Sequence, residues 1–297
     1  MEQAPATRLA IPRARRRPAL PPRGLVLAFL PFVAFCLLFE LLPIAVLLVG
    51  SIGGLEEPTG AYLARVFEHP VYRGAVSNSL YLSSVSAVIG AIGGTAVGYA
   101  ITATRHERLR NGLTALANVT ANAGGITLAF AFITVLGSTG AITIALRLLG
   151  IDLYSAFSLY SMTGLVVIYV YFQIPLMVVL MLPAFGAIRR EWREASLTLG
   201  GTKLDFWRRI GVPVLLPAIV AGTVLMFASG MGAYATAIAL MGGQANLMTV
   251  QVGVLRQGEV VFQPAQADAM ATVLLIFVAG AVLLYHVLQR RAQRWIR

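Results

Sequence analysis

The sequence predicts an all-α membrane protein with six transmembrane helices, and three observations predict it. Of 297 residues, 58% are hydrophobic and only 12% are charged, about half the charged share of an ordinary soluble domain. Six continuous apolar runs each reach the roughly 20 residues needed to cross about 30 Å of hydrocarbon: Leu25 to Val49, Ser79 to Thr102, Leu113 to Leu136, Leu159 to Phe185, Val214 to Met241 and Ala269 to Leu288. The basic residues between those runs are sorted to one side. A β-barrel is disfavoured because the runs are continuous and do not alternate.

The elements follow in order. Residues 1–24 mix prolines with Arg8, Arg13, Arg15, Arg16, Arg17 and Arg23 and read as a disordered basic tail. The run behind them is too long for a cleaved signal peptide and lacks its small-residue cleavage pattern. That first run holds Cys36, the lone cysteine, which excludes an intrachain disulfide, and Glu40, the sole acid well inside a run. After an outer segment, Ser51 to Asn78, the second run carries Gly90, Gly94 and Gly98, two overlapping small-residue steps that signal close helix packing. Asn118 and Asn122 share a face of the third run. The next outer segment, Gly137 to Ser158, contains Ile142 to Leu149, read as a short interfacial helix. The fourth run has Tyr169, Tyr171 and Gln173 ahead of Pro175, the fifth has Tyr234 among glycines, and Gly242 to Asp268 leads into the sixth. The membrane domain is thus expected over 25–289, with a polar loop at 187–213 and a basic tail at 290–297.

Every basic residue except Arg65, Arg73, Arg147 and Arg256 falls on the side of the termini. Positive charge is retained on the cytoplasmic side, so both termini and the 187–213 loop are expected in the cytoplasm. The formal net charge of +11 then reports topology. Nucleic-acid binding is not expected, since no aromatic platform or base-reading motif accompanies the arginines.

The 187–213 loop is the most specific segment. Arg189 to Leu199 reads as a short helix with Ile188, Trp192, Ala195 and Leu199 on one face. Gly200-Gly201 ends it, glycine suiting the left-handed cap position. Thr202 and Asp205 form a capping-box pattern that opens a second helix, whose apolar side is Leu204, Trp207 and Ile210. Pro213 and Pro217 mark entry into the fifth run.

These residues, Glu194-Ala195-Ser196, Gly200, Ile210 and Val212-Pro213, resemble the Glu-Ala-Ala-x-x-x-Gly…Ile-x-Leu-Pro signature of binding-protein-dependent ABC importer permeases of the type I fold. Ser196 and Val212 depart from the pattern by small or aliphatic swaps that keep its shape. Asn78-Ser79-Leu80 and Met231-Gly232-Ala233-Tyr234-Ala235-Thr236 extend the likeness. The last stretch resembles the spermidine/putrescine branch, whose relatives carry iron(III), thiamine, phosphonates or sulfate.

The resemblance implies a MetI-like permease subunit of a bacterial inner membrane, enclosing half of a substrate path, with a polyamine as substrate or else iron(III), thiamine, a phosphonate or another small solute. It implies a second permease subunit, a different chain or else a second copy, together with two ATP-binding subunits and an extracytoplasmic substrate-binding protein. Glu194, Ala195, Ser196, Gly200, Gly201, Ile210 and Pro213 would couple to the ATPase. ATP and Mg would be bound by that partner, leaving this chain with no cofactor and no catalytic residue. The residues agree: the only lysine, Lys203, follows Gly-Gly-Thr, so no phosphate-binding loop exists. There is no His-Glu-x-x-His, no Gly-x-Ser-x-Gly and no His/Cys ligand cluster.

Polar groups inside spans are the candidates for a substrate pathway, because polarity in lipid needs a reason. Glu40 would balance a cationic substrate or pair with a neighbouring helix. Asn118 and Asn122 would touch ligand or bond between helices. Tyr169, Tyr171 and Gln173 lie beside a proline-loosened helix, with core packing as the other reading. Tyr234 stands where the resemblance places pore-lining or gating residues. The rival class is a secondary transporter or channel, which predicts intramembrane acid pairs or inverted repeats with broken helices; neither is visible in the sequence.

Overall fold

A chain in hydrocarbon must satisfy its backbone groups internally, so apolar runs of this length become helices. The structure, a computed structural model, describes residues 23–55, 58–155, 157–257 and 262–294. Its helices are α1 (Arg23–Cys36), α2 (Leu42–Ser51), α3 (Ala61–Glu68), α4 (Pro70–Ala103), α5 (Glu107–Ala121), α6 (Ile126–Leu136), α7 (Ala141–Leu148), α8 (Met162–Gly186), α9 (Arg190–Thr198), α10 (Lys203–Phe206), α11 (Val212–Met231), α12 (Ala235–Met241), α13 (Met248–Gln257) and α14 (Pro264–Arg294). No strand occurs among the described residues. Six stretches are long and apolar enough to cross a membrane: Phe29–Ser51, Pro70–Ala103, Ile126–Leu148, Met162–Gly186, Lys203–Met231 and Pro264–Val287. The expected tail at 1–24 lies outside the described residues up to residue 22. Of the expected tail at 290–297, α14 runs to Arg294 and the rest lies outside them.

The chain divides into a first unit ending at Val46 and a second from Leu47 onward. In the first, α1 passes through a π turn, Leu37–Leu41, into the start of α2. The second is built around α4, which packs along α8 and α11. Glycines allow that approach. A Cβ on Gly90 would stand 2.9 Å from the Gln173 Cβ, one on Gly94 would stand 2.6 Å from the Ile174 carbonyl oxygen, and one on Gly98 would stand 3.3 Å from the Phe185 ring. The side chains of Ala87, Ala91, Met177, Met181, Phe185, Leu215 and Met226 fill the space between the three helices.

Two expected spans are broken. Asn122 to Gly125 separates α5 from α6, with Gly125 at φ 75°, so the Leu113 to Leu136 run is not one helix. The Val214 to Met241 run is interrupted at Gly232-Ala233-Tyr234, and α12 with its 3-10 extension then meets α13 at a bend of 68°. Hydropathy averages over a run and does not register a break flanked by apolar residues on both sides. The broken element is tied down by polar contacts that replace the lost helical ladder. The Thr249 Oγ1 donates to the Ala233 carbonyl (2.6 Å), the Ser79 Oγ accepts from the Met248 N–H (2.9 Å), and the Asn78 Nδ2 donates to the Asn246 carbonyl (3.0 Å). Asn246 in turn donates to the Val71 carbonyl (3.1 Å) and accepts from Gln251 (3.0 Å). The outer segment expected at 51–78 is largely helical, because α3 occupies part of it and α4 begins at Pro70. Proline suits a first helical turn, where no N–H is required.

Candidate functional site: an elbow at residues 187–213

Helix α9 ends in two backbone hydrogen bonds of the Schellman kind, Gly200 N–H to the Leu197 carbonyl (3.0 Å) and Gly201 N–H to the Ser196 carbonyl (2.9 Å). Gly200 has φ +78°, a region that costs an L-residue roughly 1–2 kcal/mol. Gly201 is required for a different reason: a Cβ there would sit 2.8 Å from the Ser196 carbonyl oxygen and 2.9 Å from its hydroxyl. The next residue starts the second arm. The Thr202 Oγ1 accepts from the Asp205 N–H (3.2 Å) and the Asp205 carboxylate accepts from the Thr202 N–H (3.0 Å), a complete capping box. The turn is therefore pinned on both sides within three residues.

The second arm does not stop before the fifth span. Helix α10 passes through a π turn, Trp207–Gly211, directly into α11, with the Val212 N–H bonded to the Trp207 carbonyl. An ordinary turn would drive the Pro213 ring into the carbonyl four residues back; the wider π turn makes room for it. The result is helical from Lys203 to Met231. Trp207 fixes this lever sideways. Its ring covers Gly211, where a Cβ would stand 2.8 Å from the ring atom Cζ3. It also meets the Tyr99 ring edge-on at 5.1 Å and Phe206 at 5.8 Å, while Tyr99 meets Phe185 at 6.0 Å. The ends of α4, α8 and α10 are thus joined through aromatic rings. Each such pair contributes about 0.5–1.5 kcal/mol beyond the area it buries. Trp207→Ala is expected to lower the melting temperature of the solubilised protein, and Trp207→Phe to restore most of the loss.

Between the two arms lies a cleft of about 530 Å³ that gathers Ala195, Ser196, Gly200, Gly201 and Ile210, with Trp192, Leu199, Asp205 and Arg209 completing its wall. Glu194 and Pro213 lie outside this lining. No residue of α9 is buried, and the tip is apolar and uncovered, Leu199 being 88% and Leu204 75% exposed. Glu194 does not form the local pair with Arg190 that their spacing allows: among the described residues the ion pairs are Asp205 with Arg209 and Asp268 with Arg256.

The candidates for a substrate pathway are scattered. Glu40 is exposed in the π turn of the first unit. Asn118 and Asn122 are exposed, and each amide donates to its own helix, to the Thr114 carbonyl (2.9 Å) and the Asn118 carbonyl (2.8 Å). Tyr169 is buried in the core at 4% exposure, edge-on to Phe172, whereas Tyr171 points the other way, half exposed beside Phe132. Gln173 is fully buried. Its Nε2 donates to the Met226 carbonyl at 3.2 Å, and its Oε1 lacks a partner. Tyr234 sits at the break between α11 and α12, 41% exposed, with its hydroxyl 3.2 Å from where a Gly253 Cβ would lie. Sequence reasoning passed over Asp268. It is 7% exposed, paired with Arg256 and pressed against Gly50. The signal available was an acid at the mouth of the last apolar run.

The family described as binding-protein-dependent transport system inner membrane component matches residues 94–297. The chain belongs to that family. Its relatives include the sulfate transport permease CysT of Salmonella typhimurium, 30% identical over 131 residues (43% of this chain, 46% of CysT). The thiamine transport permease ThiP of Escherichia coli is 27% identical over 155 residues (52% and 28%). The spermidine/putrescine transport permease PotB of Escherichia coli is 30% identical over 90 residues (30% and 32%). The chain thus spans about half or less of the length of these relatives. Among solved structures, a bacterial ABC transporter involved in import of the acidic polysaccharide alginate matches with TM-score 0.73 at 18% identity, covering 90% of this chain and 96% of that one. The methionine transporter MetNI matches with TM-score 0.58 at 19% identity (74% and 94%).

The fold of this family member is that of type I ABC importer permeases. It is a multi-pass protein of the bacterial inner membrane, from a family of transport components and not of catalysts. The broken α12–α13 pair is the kind of helix expected of the rival secondary transporter. Here it occurs within the importer permease fold.

Proposed function

We propose that this chain is one membrane subunit of an ATP-driven, binding-protein-dependent importer, and that the elbow at 187–213 receives the motion of a cytoplasmic ATPase. The observation that carries the proposal is the unbroken helix from Lys203 to Met231, joined to an uncovered α9 whose C-terminal end is held by backbone hydrogen bonds. A stiff lever passes on a rigid-body shift that a floppy loop would absorb. Glu194 then meets a basic or donor group of the ATPase, and the apolar tip at Leu199 and Leu204 seats in its surface. One chain encloses half of a pathway, so a second permease subunit, a different chain or a second copy, completes it beside two ATP-binding subunits. ATP and Mg belong to those subunits.

The substrate in this proposal is a small solute handed over by an extracytoplasmic binding protein. Polyamine is the proposed identity, supported by the Met231–Thr236 stretch and by Glu40 as an exposed acid. The relatives named for sulfate, thiamine and molybdenum transport make those solutes the competing assignments. Measuring which of the four stimulates ATP-dependent uptake into vesicles holding the whole complex decides among them. A polyamine response supports the assignment; a response to sulfate, thiamine or molybdate alone rejects it.

The proposal also fixes orientation. Lys203 is exposed, so a membrane-impermeant amine reagent is expected to label it in inside-out vesicles and to spare it in intact cells. Labelling in intact cells contradicts the proposal.

A further inference from the structure

Two clefts on the second unit run into one another, sharing Tyr99, Phe185 and Trp207 in their walls. The first, of about 590 Å³, opens between α4 and α11 and is lined by Ala91, Ile92, Ala96, Val212, Leu215 and Ile219. Its size lies within the roughly 300–1,000 Å³ usual for ligand sites. It opens to the outside of the chain, since Ile92 is 69% and Val212 48% exposed. The second, of about 190 Å³, is rimmed by Arg189, Arg190 and Arg193 beside Thr102. None of these arginines is in an ion pair among the described residues. Glu191 and Glu194 share their helix, and neither lines the cleft. The helix start at Arg189 and Arg190 also has no side-chain cap, leaving amide donors where an anion is favoured. A slot that is apolar apart from the Thr95 hydroxyl, buried there without a hydrogen-bond partner, continues into a triply cationic pocket with Trp207 and Tyr99 at the seam, an order of polarity that matches the acyl chain and anionic head group of a phospholipid.

We infer that this double cleft binds an anionic phospholipid, with an acyl chain between α4 and α11 and the phosphate among Arg189, Arg190 and Arg193. Basic pockets between transmembrane helices at a membrane surface recognise lipid head groups in this way. Aromatic side chains at the same level suit the boundary between acyl chain and head group. The inference goes beyond the proposed transport role and needs neither ATP nor a partner. It uses the proposed orientation only in assigning the lipid to the inner leaflet. Its consequence is that the lipid touches Trp207, the residue that braces the elbow.

The test is native mass spectrometry of the purified full chain in detergent, titrated in parallel with phosphatidylglycerol, phosphatidylcholine and glycerol 3-phosphate. Retention of phosphatidylglycerol is expected to exceed that of phosphatidylcholine at least tenfold. Millimolar glycerol 3-phosphate is expected not to displace it, which separates a lipid from a free phosphate. Replacing the three arginines together by glutamine is expected to lower phosphatidylglycerol binding on the order of a hundredfold, at about fivefold per charge. The triple lysine variant is expected to keep most of it, which shows that the fold survives. Ala96→Trp, which fills the apolar slot with the arginines intact, is expected to lower binding as well. Equal retention of the two lipids, displacement by glycerol 3-phosphate, or unchanged binding in the glutamine variant overturns the inference. So does a cysteine at Ile92 that crosslinks in membranes to another protein chain and not to lipid.

Discussion

Replacing Gly94 by leucine is expected to abolish accumulation of folded protein in the membrane. Helices α4 and α8 meet so closely at this point that even a Cβ would stand 2.6 Å from the Ile174 carbonyl and collide with the Met177 side chain. A main-chain atom cannot rotate away, so the helices must separate along their length. Overpacking in a tight core costs about 1–3 kcal/mol when only side chains shift, and here the axis itself moves. A membrane bundle has no hydrophobic drive to offset lost close packing. The contrast is Gly112, with nothing within 4 Å of its Cβ position. There alanine is expected to be neutral or to stabilise α5 by up to about 1 kcal/mol. Quantifying membrane-inserted, monodisperse protein checks both. Normal yields of the Gly94 variant would mean that the α4–α8 seam is not the core of the fold.

Gly200→Val is expected to leave the protein folded and to reduce ATP-dependent uptake at least tenfold. The position has open space on every side, so the defect is conformational. A β-branched residue resists φ +78°, and relieving that strain undoes the Schellman bonds that aim α9. Gly200→Asn is the informative partner, since asparagine tolerates the left-handed region and is expected to retain most uptake. Undiminished uptake with valine would show that the angle between the two arms carries no function.

Much of this was legible in the residues. The turn of the elbow was read closely, because its signals are local: a glycine pair, a threonine three residues before an aspartate, and a four-three-four apolar spacing each specify a few backbone angles; the π turn that carries the second arm unbroken into α11 was not read. The Gly90, Gly94 and Gly98 steps likewise announced close packing. Which helix they pack against, α8, was not legible, because small residues declare a flat face without naming a partner. The breaks at Asn122–Gly125 and Gly232–Tyr234 escaped for another reason. The groups that make the second break tolerable, Ser79, Asn78 and Asn246, lie about 150 residues away or across a bend, so no window along the chain contains both the break and its compensation. The pathway candidates show the same limit. Tyr169 and Tyr171 are two residues apart and point to opposite environments, a difference set by the packing of α8 and not by residue type. The amides of Asn118 and Asn122 are met by their own helix, and Asp268 was hidden by its place at the edge of a run.

Transmission through the elbow requires that it be stiff, and spin labels on its two arms measure that directly. With Cys36 replaced by alanine, labels at Leu197 and Arg208, both exposed and neither at the apolar tip, would report their separation by pulsed dipolar spectroscopy in the assembled complex. A single narrow distance, unchanged between the nucleotide-free and ATP-trapped states, is the predicted result. A broad distribution, or a distance that shifts when ATP binds, would contradict it, because the elbow would then absorb the movement it is held to transmit.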